Sequence, residues 1–355
     1  MTAGAGVQER TVDRSELPVG RLPQPYLLFL GDTTEAGFAK TAFGLRDWAP
    51  ELCVGEFALP EAKVTTGLPK LTPLEAADRG ARALVIGVAN SGGFIAESWI
   101  PPLLEALEAG LDIVSGMHAK LSRIPELRYG AERLERRLID IRTPPANIPI
   151  ATGLKRSGKR LLTVGTDCAL GKKYTALSLA RAFKGRGVAT DFRATGQTGI
   201  MISGGGIPMD AVVADFAAGA AEMLSPAAPP DHWDVIEGQG SILHPAYAGV
   251  SLALLHGSQP DVFVVCHDPT RERLLGDEEF IVPTVDEIID LTLRLGRRTN
   301  LQIRCGGVAL NTSALSAEHA ADACASEAAR LGLPVADPMR GGEPFERLVD
   351  ECLKA

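Results

Sequence analysis

Short apolar runs alternate along this chain with longer stretches in which apolar residues recur at helical spacing. Residues 26–30 form an apolar run that stops at Gly31 and Asp32, and a helical pattern follows through Phe38, Phe43 and Leu45. Residues 83–88 make a second apolar run, ending at Asn90, Ser91, Gly92 and Gly93. Residues 102–109 read as a helix and 112–115 as a strand ending before Gly116, Met117 and His118. Alternation at this spacing predicts a parallel, three-layer α/β sheet. Ligands of such sheets sit beyond the carboxyl ends of the strands. The turn after the first strand lacks the three-glycine dinucleotide fingerprint, so NAD binding is weakly supported.

Pro144, Pro145 and Pro149 interrupt the pattern and mark a join. Beyond it the alternation resumes. Strands are expected at 161–164, 188–194, 233–236, 262–266 and 303–310, with helices at 172–184, 209–224, 247–256 and 284–295 and in the remainder. The expected division is a disordered tail at 1–24, an α/β domain at 25–150 and a second α/β domain at 151–355. A basic run of Lys155, Arg156, Lys159 and Arg160 precedes the strand at 161–164. It reads either as a solvated linker or as extra positive field for an anion.

That strand leads into the most informative stretch, Gly165, Thr166, Asp167, Cys168, Ala169, Leu170, Gly171, Lys172, Lys173 and Tyr174. Strand, glycine loop, Gly-Lys and helix follow in the order of a phosphate-binding P-loop. Five residues separate Gly165 from Gly171, where four are usual. Lys173 occupies the position of the hydroxyl residue that normally holds Mg²⁺. A charged ammonium repels that ion. The loop is therefore expected to hold a phosphorylated ligand through paired lysines, with no metal.

Composition narrows the classes. The formal net charge of −8 argues against a general nucleic-acid binder. No apolar run reaches the roughly 18 residues that a membrane span needs. The first twenty residues lack the apolar core of a secretory signal. The six cysteines form no Cys-x-x-Cys pair, which fits free thiols in a reducing cytoplasm.

The motif Gly165-Thr-Asp-x-x-x-Gly171-Lys172, the strand ending Glu237-Gly-Gln-Gly and the strand ending in Asn311 resemble the dethiobiotin-synthetase-like P-loop group. Three longer segments are closer to another family. They begin at Gly165, at Ala194 (Ala-Thr-Gly-Gln-Thr-Gly-Ile-Met-Ile-Ser-Gly-Gly-Gly-Ile-Pro) and at Glu237 (Glu-Gly-Gln-Gly-Ser-Ile-Leu-His-Pro). Together they resemble the D-glutamate N-acetyltransferase family over most of the chain. The resemblance implies a Rossmann-like N-terminal domain and a P-loop C-terminal domain. It also implies acetyl transfer from acetyl-CoA to the amino group of D-glutamate, in D-amino acid catabolism. Coenzyme A presents its phosphates without Mg²⁺, which suits a loop carrying Lys172 and Lys173.

On this reading Asn311 is a candidate for the adenine edge, or else a helix cap. Glu237 is the first candidate for the base that takes the amine proton, or else an ion-pair partner of Lys172. His244 and Asp268 are the other candidates. Arg193 and Arg271 are candidate forks for the acceptor's carboxylates, or else surface charges. Gly204, Gly205 and Gly206 offer close backbone approach to the acceptor or the acetyl carbonyl, or else a lid hinge. Cys168 is a remote candidate for an acetyl-cysteine. The partner expected is a small amino acid, with no nucleic acid or membrane, in a homo-oligomer. A Mg-ATP-dependent ligase or kinase and a non-catalytic nucleotide sensor are the competing readings.

Overall fold

The computed structural model describes residues 22–90 and 92–354. The expected tail lies outside them, save its last three residues. Of these, Leu22 is buried and donates its N–H to the Gly204 carbonyl.

In chain order the elements are β1 (Tyr26–Gly31), α1 (Lys40–Trp48), β2 (Cys53–Ala58), α2 (Pro73–Asp78), β3 (Ala83–Ile86), α3 (Ile100–Glu108), β4 (Asp112–Ser115), α4 (Pro125–Leu134) and β5 (Leu138–Asp140). Then come β6 (Lys159–Gly165), α5 (Lys172–Gly185), β7 (Thr190–Arg193), α6 (Gln197–Ser203), α7 (Ala214–Leu224), β8 (Trp233–Ile236) and α8 (Ala248–Ser258). The last are β9 (Val262–His267), β10 (Arg273–Leu274), β11 (Asp277–Ile281), α9 (Val285–Gly296), β12 (Arg304–Leu310), α10 (Ala317–Leu331), β13 (Val335–Ala336) and α11 (Gly342–Leu353).

The described chain divides into two compact units, one of residues 22–146 and 194–212, the other of 147–193 and 213–354. The first is built on a parallel sheet in the order β2-β1-β3-β4-β5. Its central strands β1, β3 and β4 are buried along their whole length; β1 and β3 accordingly read as apolar runs, while β4 keeps only Ile113 and Val114 between two buried polar ends, Asp112 and Ser115. In this strand order a ligand would enter beyond β1 and β3. Trp99 fills that place: its ring packs over Gly31 and its Nε1–H donates to Asp32 at 3.0 Å. Residues 194–212 complete the unit. Tyr26 donates its hydroxyl to the Met201 carbonyl at 3.0 Å, Thr41 bonds Thr198 at 3.2 Å, and Arg142 pairs with Asp210.

The second unit holds a parallel six-stranded sheet in the order β13-β12-β9-β6-β8-β7, with a separate antiparallel ribbon of β10 and β11. Leu161, Val235, Val264 and Ala309 on the strands pack against Ala176, Leu179 and Phe183 of α5 and Leu348 and Val349 of α11. Phe183 meets Trp233 edge-on at 5.4 Å. Local signals set the helix ends. Thr284 and Glu287 form a capping box at α9, so the helix starts one residue after the threonine.

The basic run at 155–160, whose last two residues open β6, is not part of the P-loop anion site. It lies at the amino end of that strand, the end opposite Gly165. Arg160 is wholly buried and donates to the carbonyls of Ser157, Ser225 and Pro226. Arg156 donates to Ser225 and Gly257. Both guanidiniums tie the incoming linker to α7 and α8. The helix expected at 209–224 begins only at Ala214, because 209–211 form a 3-10 turn at the end of the segment grouped with the first unit.

Candidate active site

The loop between β6 and α5 curls around the amino end of the helix. Gly171 at the N-cap has φ +99, a conformation that favours glycine, and no side chain caps the first turn. The helix therefore presents its N–H groups and the positive end of its dipole to whatever sits in the loop. Ala169 also adopts a left-handed φ of +53. Lys172 is buried, and its Nζ donates to the Asp167 carbonyl at 2.6 Å. Burial pushes its pKa below the ordinary lysine value. The Lys173 ammonium is half-buried over the Tyr174 ring, 4.4 Å from its centre.

Asp167 joins the loop to the β10–β11 ribbon. Its Oδ1 accepts the N–H of Cys168 at 2.6 Å. Its Oδ2 accepts from Arg271 Nη1 at 2.8 Å and from the N–H of Leu275 at 2.9 Å. Arg271 also donates to the Cys168 carbonyl at 2.7 Å. One face of the Arg271 guanidinium is thus docked on the loop. With His267, Arg271 lines a cavity of about 550 Å³. Thr166 bonds His267 Nδ1 at 3.0 Å, and burial lowers the pKa of that imidazole.

His244 sits in the turn before α8, buried, with its ring 4.6 Å from that of Tyr247. The N–H of Ala246 donates to His244 Nδ1 at 3.1 Å. That bond uses the Nδ1 lone pair, so the ring proton stands on Nε2. Among the described residues Nε2 has no hydrogen-bond partner; Asp167 Oδ1 and Asp277 Oδ2 each lie 3.8 Å away. His244 is accordingly a donor in this geometry, where the sequence suggested a proton acceptor.

The remaining expected residues separate. Glu237 is buried at the end of β8, and its N–H donates to the Arg193 carbonyl. The N–H of Gly238 donates to Thr163 Oγ1 at 2.9 Å; a Cβ at Gly238 would overlap the Thr163 carbonyl oxygen. This close approach holds Glu237 at the loop end of β6. Arg193 is no carboxylate fork for a substrate. It is 3 % exposed, with Nε 2.8 Å from Asp234 and Nη2 3.0 Å from Asp191. Asp268 forms a turn, its Oδ1 accepting from the N–H and hydroxyl of Thr270. Asn311 Oδ1 accepts the Ser313 N–H at 3.2 Å, a turn that leaves the amide NH₂ available. Gly204, Gly205 and Gly206 belong to the first unit. Burial raises the Cys168 thiol, opposite to what a ready nucleophile needs.

Among the described residues two side-chain groups have the spacing of metal ligands, Asp167 with Cys168 and His244, and Asp191 with His232 and Asp234. Neither donor set fits a cation. In the first, His244 offers a proton and Asp167 already meets Arg271. In the second, the Arg193 guanidinium stands between the carboxylates.

The sequence match completes this picture. A P-loop domain described as a domain of unknown function, DUF1611_C, matches residues 149–349. Its Rossmann-like counterpart, DUF1611_N, matches residues 57–144. A protein of Tritonibacter scottomollicae named D-glutamate N-acetyltransferase is 48% identical over 326 residues, covering 92% of this chain and 97% of its own. A protein of the same name from a Pseudoalteromonas species is 47% identical, covering 91% and 97%. The chain belongs to the D-glutamate N-acetyltransferase family. The crystal structure of a DUF1611 family protein from Anabaena variabilis superposes with a TM-score of 0.81 at 33% identity, covering 94% of this chain and 99% of that one. The family's pairing of a Rossmann-like domain with a P-loop domain is the α/β architecture expected from the sequence.

Proposed function

We propose that this protein transfers the acetyl group of acetyl-CoA to the amino group of D-glutamate. The observation that carries the reading is kinship along nearly the whole chain with two proteins of that name. The site is compatible with it. The phosphates of coenzyme A are assigned to the uncapped end of α5, to Lys172 and to Lys173, with the undocked edge of Arg271 beside them. The cavity next to Arg271 and His267 offers room for the rest of the carrier.

Acetyl transfer asks for a bound thioester, an acceptor held in attacking position and a route for its protons. The ammonium gives one proton to the base, the lone pair of the resulting amine attacks the thioester carbonyl carbon, and the nitrogen sheds a second proton as the amide forms. The C–N bond forms, the C–S bond breaks, and the thiolate leaves with the electron pair and takes up a proton. Glu237 is the base in this reading, being a buried carboxylate just beyond the end of β8. The Glu237→Gln variant tests that role. It is expected to bind acetyl-CoA as the wild type does and to lose on the order of 100-fold in kcat. An undiminished kcat removes Glu237 as the base.

A further inference from the structure

We propose that Asp277, steadied by the Nε2–H of His244, is the carboxylate that receives the ammonium group of the amino-acid acceptor. The ligand's identity rests on the acetyl-transfer reading.

Four observations carry the assignment. Asp277 stands at the first position of β11, on the ribbon that Leu275 and Arg271 tie to the P-loop. Its side chain is 43% exposed, so a ligand reaches it. Among the described residues no lysine or arginine pairs with it, and its one such neighbour is the neutral His244 ring at 3.8 Å, whereas the neighbouring Asp167 is matched by Arg271. An unmatched carboxylate beside an anion cradle opposes anion binding unless it serves a cation. The fourth observation concerns the imidazole. The Nε2–H of His244 is wholly buried, has no hydrogen-bond partner among the described residues and lies 3.8 Å from Asp277 Oδ2. A buried donor left unpaired is costly. A small shift of the half-exposed Asp277 side chain satisfies it and leaves the second carboxylate oxygen facing outward.

The cation class follows from the donors. The proton on Nε2 keeps the imidazole from ligating a metal, because Nδ1 is taken by the Ala246 N–H. A primary ammonium needs only carboxylate acceptors, and the proposed acceptor carries one. His244 is then a positioning residue that acts through Asp277.

Steady-state kinetics of Asp277→Asn, with calorimetric binding of acetyl-CoA, provide the test. The KM for D-glutamate is expected to rise about tenfold or more, with the acetyl-CoA Kd changed by less than about twofold. His244→Leu is expected to raise the same KM, and His244→Gln, which restores an N–H near the Nε2 position, to recover most of the loss. A KM unchanged in Asp277→Asn, while the wild type turns over, overturns the subsite alone. A His244→Gln variant as damaged as His244→Leu in kcat, with KM unmoved, overturns the donor role. Calorimetric Mg²⁺ binding by the wild type that disappears in Asp277→Asn assigns the carboxylate to a metal and overturns the proposal. A wild type that releases no thiol with D-glutamate overturns the acetyl-transfer reading and the ligand's identity with it. Should His244→Leu fail to fold, Asp277→Asn decides by itself.

Discussion

Lys172 combines two properties that the account needs at one residue. It is buried against the Asp167 carbonyl, and that burial lowers its pKa below the ordinary 10.5. A phosphate in the loop would restore the charge, so binding of coenzyme A takes up protons at alkaline pH and weakens as pH rises. Calorimetry in buffers of different ionisation enthalpy reads both effects. Without ligand the sign is opposite for stability. Between the lowered pKa and 10.5 the unfolded chain binds more protons than the folded one, so stability attributable to this residue rises with pH. Lys172→Met is expected to weaken acetyl-CoA binding by on the order of 100-fold and to abolish the proton uptake. The P-loop residues were legible in the sequence because their chemistry is mostly backbone, and glycine and lysine spacing encodes backbone. Arg193 misled for the opposite reason. Its partner Asp234 lies 41 positions away, and only the fold shows that the guanidinium is already matched. Asp277 carried no local signal at all.

At the scale of elements, strands such as β1, β3, β6 and β9 were visible as apolar runs because they are almost wholly buried, whereas the partly exposed β2 and β5 and the two-residue β13 were not expected from the sequence. Nor was the β10–β11 ribbon. Its second strand reads Asp277, Glu278, Glu279, Phe280 and Ile281, mostly exposed, with neither an apolar run nor a clean alternation. Three bonds onto the P-loop hold it, those of Arg271 to Asp167 and to Cys168 and that of the Leu275 N–H to Asp167. Arg271→Ala is expected to speed hydrogen exchange of the Leu275 amide while leaving exchange in β6 unchanged; equal protection in both proteins would show that the ribbon stands without the arginine. The junction of β6 and β8 is tighter. Gly238→Ala places a methyl group on the Thr163 carbonyl and is expected to cost about 1–3 kcal/mol, read as a lowered melting temperature.

The whole molecule is not two consecutive beads. After β7 the chain leaves the second unit, contributes residues 194–212 to the first, and returns at Val213. The glycine-rich motif at 204–206 was readable as a motif, yet its address was not, because sequence order gives no hint of which sheet a loop rejoins. A fragment ending at residue 146 lacks the partners of Tyr26, Thr41 and Arg142. Such a fragment is expected to unfold less cooperatively than the first unit in the intact chain, as followed by thermal denaturation. On the proposed reading, paired ammonium groups hold an acyl carrier whose acetyl group passes to an amine. Thiol release from acetyl-CoA with D-glutamate, in the presence of EDTA, measures it most directly. One thiol is expected per N-acetyl-D-glutamate formed, undiminished by the chelator. Absence of thiol release, or turnover that appears only with magnesium and ATP, would contradict it.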